Sequence, residues 1–148
     1  MKRPQRVACY AVLMLLGAGW AGCSPKPVIV GSPTESQNLI FIAQAYIDAT
    51  GGTLGRPPKN LEELKPFLED IGKVNKRSVD DILVSPNDGL PYAIVWGQPP
   101  GRSPIAYEQK GKDGKRKVIN AQLMPWDVTE EGFSRLKLPP GNKQDPVK

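Results

Sequence analysis

The sequence predicts an α+β domain: a long N-terminal helix packed on a small three-stranded antiparallel sheet, with one or two short helices. Two observations carry this expectation. Apolar residues recur at helical spacing in the first half of the chain, and after residue 85 short β-rich runs alternate with turns rich in Gly, Pro, Asn and Asp. Strands that follow one another through short turns favour an antiparallel meander.

The long helix is expected to start at Ser32, a candidate N-cap, with Pro33 at the first helical position and Glu35 three residues after the cap. Leu39, Ile40, Ile42, Ala43, Tyr46 and Ile47 form its apolar stripe, and Gly51-Gly52 is placed to end it after about 18 residues. Gly55-Arg56-Pro57-Pro58 breaks the chain. Asn60 and Glu63 then repeat the capping logic ahead of Leu61, Leu64, Phe67 and Leu68, a second and shorter helix. Pro66 cannot donate a backbone hydrogen bond, so it is expected to bend or restart this helix. Residues 73–81 are polar and read as loop.

Ser85-Pro86-Asn87-Asp88-Gly89 supplies the positive backbone dihedrals of a tight turn, for which Asn and Asp serve equally. The first strand spans 92–96, with Tyr92, Ile94 and Trp96 on the face expected to lie under the long helix and Ala93 and Val95 on the other. Gln98-Pro99-Pro100-Gly101 turns the chain into a second strand, Ile105-Ala106-Tyr107. Lys112-Asp113-Gly114 is a hairpin turn leading to a third, Val118-Ile119-Asn120-Ala121. Residues 129–136 can form a short closing helix, and 139–148 are expected to be a disordered tail.

The N-terminus has a different character. Lys2, Arg3 and Arg6 precede an apolar run over 7–19, and small residues lead to a cysteine in Trp20-Ala21-Gly22-Cys23, the order of a secretion signal. The segment resembles a bacterial lipobox, which implies lipid attachment at Cys23 and a mature chain beginning there. An alternative stays open: Gly19-Trp20-Ala21 also passes as an A-x-A-like cleavage site, leaving a soluble protein with a free thiol. The run is short of the ~20 apolar residues that cross a bilayer as a helix. Domain boundaries follow as 1–22 signal peptide, 23–31 tether, 32–138 globular domain and 139–148 tail. In the tether, Pro25 and Pro27 favour extended chain, and Val28-Ile29-Val30 either packs on the domain or lies near the membrane.

Composition removes several function classes. Of 20 Lys+Arg against 15 Asp+Glu, three basic residues and no acidic one fall in 1–22, so the remainder is near neutral and lacks the electrostatic footprint of a nucleic-acid binder. The basic run at Lys110, Lys112, Lys115, Arg116 and Lys117 reads as a solvated hairpin tip. There is no histidine, so Ser-His-Asp, Cys-His and histidine-ligated zinc sites cannot be assembled. Cys9 lies in the signal segment, which leaves Cys23 with no partner for an internal disulfide.

Tyr46 and Gly55-Arg56-Pro57-Pro58-Lys59-Asn60-Leu61-Glu62-Glu63-Leu64-Lys65, then Ser85-Pro86-Asn87-Asp88-Gly89-Leu90-Pro91-Tyr92, Ala106-Tyr107-Glu108 and Thr129-Glu130-Glu131-Gly132-Phe133, resemble in order the pseudopilin-like proteins of planctomycete-type bacteria. The resemblance spans most of the globular domain and implies a fold related to type II secretion pseudopilins. Its motifs are turn and packing signatures that specify no chemistry. Where assembling members carry a prepilin leader and a long apolar first helix, this chain has the lipobox-like segment. Gln122-Leu123-Met124-Pro125-Trp126 replaces the Asp-Gly-Ser-Val often found before the final helix.

Three further candidates follow from residue types. Asn87 and Asp88, with Asp80 and Asp81 nearby, offer oxygen ligands for calcium, fewer than the six or more that this ion takes, so the turn-forming role is preferred. Glu108 with Asp88 or Asp127 is a conceivable carboxylate pair for glycoside hydrolysis. Trp126, between Pro125 and Asp127, is the candidate for an exposed partner contact. The expectation is a non-catalytic interaction or accessory module without cofactor. It would be lipid-anchored in the cell envelope facing the periplasm or exterior, with the membrane and an envelope protein as partners and no nucleic acid. A calcium-binding or carboxylate-dependent hydrolytic envelope protein is the alternative.

Overall fold

The computed structural model describes residues 36–136 and 138. The signal segment 1–22, the tether 23–31, the expected cap at Ser32 and the tail 139–148 lie outside the described residues.

The fold is α+β. Its elements run α1 (Gln37–Gly52), α2 (Leu61–Asn75), α3 (Val79–Leu83), β1 (Ala93–Ile94), β2 (Ala106–Tyr107), β3 (Lys115–Ile119), β4 (Trp126–Thr129) and α4 (Glu130–Ser134). α1 presents Ser36 at its N-cap with no side-chain cap bond and ends at Gly52, as the glycine pair predicts. At α2 the Asn60 Oδ1 accepts from the Glu63 amide at 3.0 Å, and the Glu63 carboxylate accepts from the Lys59 amide at 3.1 Å. Two donors that the first turn would leave orphaned are thereby satisfied from sequence neighbours alone.

Two expectations about this region are corrected. α2 runs through Pro66 without restarting. The carbonyl that loses its donor belongs to Glu62, and both residues are exposed, so that carbonyl is open to solvent. Of residues 73–81 only 76–78 lie between helices: α2 continues to Asn75, Lys76 ends it at φ 53, and Ser78 caps α3 by accepting from the Asp81 amide at 3.1 Å. Their polarity reflects exposed faces of short helices, with Ile82 and Leu83 carrying the burial.

The sheet is antiparallel in the order β1-β2-β3-β4, a meander of four strands where three were expected. Trp126 to Thr129 form the additional strand, paired with β3 through Val118↔Trp126, Lys117↔Asp127, Arg116↔Val128 and Lys115↔Thr129. Pairing with the neighbouring strand, which no local pattern announces, turns these residues into an edge strand. β3 also starts earlier than expected, directly from the hairpin turn in which Asp113 (φ 52) and Gly114 (φ 70) take the left-handed conformation. Gly111 precedes it in a tighter place. Its φ is 70 and a Cβ there would sit 2.0 Å from the Lys115 carbonyl oxygen, so no side chain fits.

Alternation along the strands divides the core in two. Tyr92, Ile94, Ala106 and Ile119 face α1, α2 and α3 and join Leu39, Ile42, Tyr46, Leu64, Leu68 and Ile82, with Trp96 packed against them. Ala93, Val95, Tyr107, Val118 and Val128 point to the opposite face and are covered by Trp126, Phe133, Leu136 and Leu138. The sheet is therefore buried on both sides. Tyr107 and Phe133 meet edge to face with ring centroids 4.9 Å apart, and the Arg116 guanidinium lies 4.5 Å over the Phe133 ring while its fork grips the Glu130 carboxylate.

Candidate functional site

Where the helices stop covering the sheet, the same face that carries Ala106 and Ile119 carries Glu108, Lys117 and Asp127. Glu108 is 1% exposed. Its Oε1 accepts from the Ser85 hydroxyl at 3.0 Å and the Asn87 side-chain amide at 2.6 Å, and its Oε2 accepts from the Lys117 amide at 2.8 Å. Ser85 is wholly buried; its Oγ also accepts from the Asn87 amide at 3.1 Å, and its backbone exchanges bonds with Leu90 and Gly89. A buried carboxylate is costly unless its oxygens are hydrogen-bonded, and here three donors, two from the 85–89 turn and one from β3, do this.

Asp88 extends the same stitching. Its Oδ1 accepts from the Leu90 amide at 3.1 Å, and its Oδ2 from the Lys110 and Gly111 amides at 3.0 and 2.9 Å. Burial raises the affinity of this carboxyl for its proton, but the amides of Gly111, Lys110 and Leu90 together with Ser85 outweigh it and hold the group below the usual carboxylate range. The 85–89 turn and the loop after β2 are thus joined by two carboxylates, one from each side. Tyr92, beside them, has its hydroxyl pushed far above the ordinary tyrosine range, mainly by burial and further by the charges of Glu108 and Asp88, against the lowering effect of a Ser85 hydrogen bond.

Of the sequence candidates, Asn87 and Asp88 do not converge as calcium ligands. The Asp88 oxygens face N–H donors, and Asn87 turns its amide nitrogen to Glu108. Three amide protons take up most of the Asp88 acceptor capacity, and calcium takes six or more oxygens. Asp80 and Asp81 belong to the first turn of α3, and among the described residues no group of three or more acidic or cysteine side chains could hold a metal ion.

Glu108 and Asp127 do border one cleft, of about 290 Å³, with Asn87, Lys112 and Lys117. In that cleft Asp127 is bound to Lys117 Nζ at 2.9 Å and Glu108 accepts from its three donors. The basic run behaves as a hairpin: Lys117 pairs with Asp127, and Arg116 with Glu130. Trp126 is half-buried in β4 against the cluster of Ala93, Val95, Tyr107, Val118 and Val128, not held out as a free contact. Cys23 lies outside the described residues.

Sequence reasoning missed Ser85 as a buried partner of Glu108, and it missed Asn38. Asn38, at 3% exposure in α1, donates to the carbonyls of Asp81 and Val84 at 2.8 and 2.9 Å and so fastens α3 to the long helix. The available signal was its position one turn before Ile42, a polar residue on an apolar stripe. Among the described residues no helix is long and apolar enough to cross a membrane. No protein-family model, curated protein or solved structure matches the chain.

Proposed function

We propose that the chain is a lipid-anchored cell-envelope protein whose globular domain acts as a non-catalytic interaction or accessory module, with a link to secretion-like machinery suggested by its pseudopilin-like motifs. The observation that carries the reading is Cys23, placed where a basic start, an apolar run and small residues converge. Each acyl chain contributes ~0.8 kcal/mol per buried methylene, so one chain holds a protein marginally and two or more hold it stably. Such an anchor restricts the domain to partners at the membrane surface. The engagement of Glu108, Asp88 and Asp127 by structural donors supports a module without carboxylate chemistry. Mass spectrometry of the mature N-terminus tests the anchor: a diacylated Cys23 is expected, and an unmodified start at Gly22 overturns it. Affinity capture from solubilised membranes then identifies the envelope partner.

A further inference from the structure

An apolar groove of about 430 Å³ lies between α1 and α2, walled by Ile40, Phe41, Ile71, Val74 and Leu123. Val74 is 50% exposed there, a large aliphatic side chain presented to water. Leu123 holds φ at 58, a left-handed conformation that costs a non-glycine residue about 1–2 kcal/mol, and it packs against the core from that strained turn. On the same wall Asn75 donates to the Ile71 carbonyl at 2.8 Å, while its Oδ1, closed off from solvent, has no hydrogen-bond partner among the described residues. Asp48 and Asp70 stand at the rim, Asp70 beside Lys73.

We propose that this groove is the docking site of the chain's own tether, with Val28-Ile29-Val30 as occupant. Position comes first: the groove begins at Ile40, one helical turn from Ser36, where the tether enters the domain. The five residues 31–35 between Val30 and Ser36 reach at most ~18 Å when extended, while Ile40 to Asp48 covers about 12 Å of helix. A chain that turns back just before Ser36 can therefore lay Val28-Ile29-Val30 along the groove. Composition agrees, because Val28-Ile29-Val30 is the one aliphatic run between Cys23 and Ser36. The preceding Lys26 brings a cation toward Asp48 and Asp70 at the rim. Docking does not depend on lipidation. Its consequence does rest on the anchored reading: with Cys23 in the membrane, docking leaves residues 24–27 free and shortens the tether's reach from about 40 Å to about 14 Å, holding the domain close to the bilayer.

The test places a photo-reactive benzoylphenylalanine at Ile29 in the full chain, produced in bacterial membranes, and maps cross-links by mass spectrometry after irradiation. The expected product is an intrachain link to Ile40, Phe41, Val74 or Leu123. Val74→Asp is expected to abolish that link while leaving the melting temperature unchanged, since the residue is half-exposed. Links to lipid alone, to another protein, or to the groove of a second copy, visible as a band at twice the mass, overturn the proposal. The mass of the same N-terminal peptide reports lipidation separately. A cross-linked but unlipidated chain refutes only the anchor, and a lipidated chain without the link refutes only the docking.

Discussion

Replacing Glu108 by glutamine separates a structural carboxylate from a poised one. The substitution keeps size and shape but exchanges one acceptor oxygen for a donor. If the remaining oxygen faces Ser85 and Asn87, two bonds survive and the new NH2 group is set against the Lys117 amide. That amide belongs to β3 and cannot turn away. The opposite orientation loses two bonds. The lighter case forfeits one hydrogen bond to a charged acceptor and strands a buried donor, together about 2–4 kcal/mol after allowance for the desolvation that the neutral side chain is spared. For a domain of this size that is a fall in melting temperature on the order of 10–20 °C. Thermal unfolding followed by circular dichroism for wild type, Glu108→Gln and Glu108→Ala measures it. A Glu108→Gln protein as stable as wild type, or more so, would refute the reasoning. Stabilisation on removing a buried charge is the mark of a group held at a cost for function, and it would return the hydrolytic alternative to first place.

Other outcomes follow from the same contacts. Ile42→Asp, at a fully buried position mid-stripe on α1, is expected to lose several kcal/mol, about 4 or more, or to prevent folding, as judged by urea titration; an unchanged midpoint would mean that the α1 face is free. Asp88→Asn, neutral by turn geometry alone, is expected to cost about 1 kcal/mol, because one oxygen cannot serve the Leu90, Lys110 and Gly111 amides together. Calorimetric titration of both forms with calcium is expected to show no binding, and binding by the wild type alone would reinstate the cation site. Since the Asp88 carboxyl is held below its ordinary range in the folded chain, its contribution is present above about pH 4 and is lost as pH falls through the lower folded value. Unfolding midpoints between pH 6 and 2 test this, and Asp88→Asn should flatten the decline. Tyr46→Phe removes a hydroxyl that lies 2.9 Å from the Val95 and Gln98 carbonyls and accepts from the Gln98 amide at 3.0 Å, and about 1–2 kcal/mol is the expected loss in the same assay.

What the sequence by itself determined is what neighbours within a turn or two of chain decide. The Asn60 cap, the Asp113-Gly114 hairpin and the alternation that sends Tyr92 and Ala93 to opposite cores are all local geometry. The stripe on α1 is local too, since every helix repeats its faces at the same spacing. The helical character of 73–75 and 79–81 escaped because burial there rests on a few residues and the caps look like loop.

Only the tertiary structure decided the rest. β4 exists because β3 lies beside it to accept its backbone bonds, and nothing in Gln122-Leu123-Met124-Pro125-Trp126 announces that neighbour. Glu108 reads as an ordinary surface acid until Ser85 and Asn87, 23 and 21 residues earlier, are seen to close over it. Asn38 likewise needs carbonyls 43 and 46 residues away. A hydrogen bond between distant residues leaves no period in the sequence, because either partner alone is chemically the same whether it faces water or its mate. The carboxylates that residue type offers as candidates for chemistry are drawn into these bonds by their surroundings, and surroundings are made by the fold.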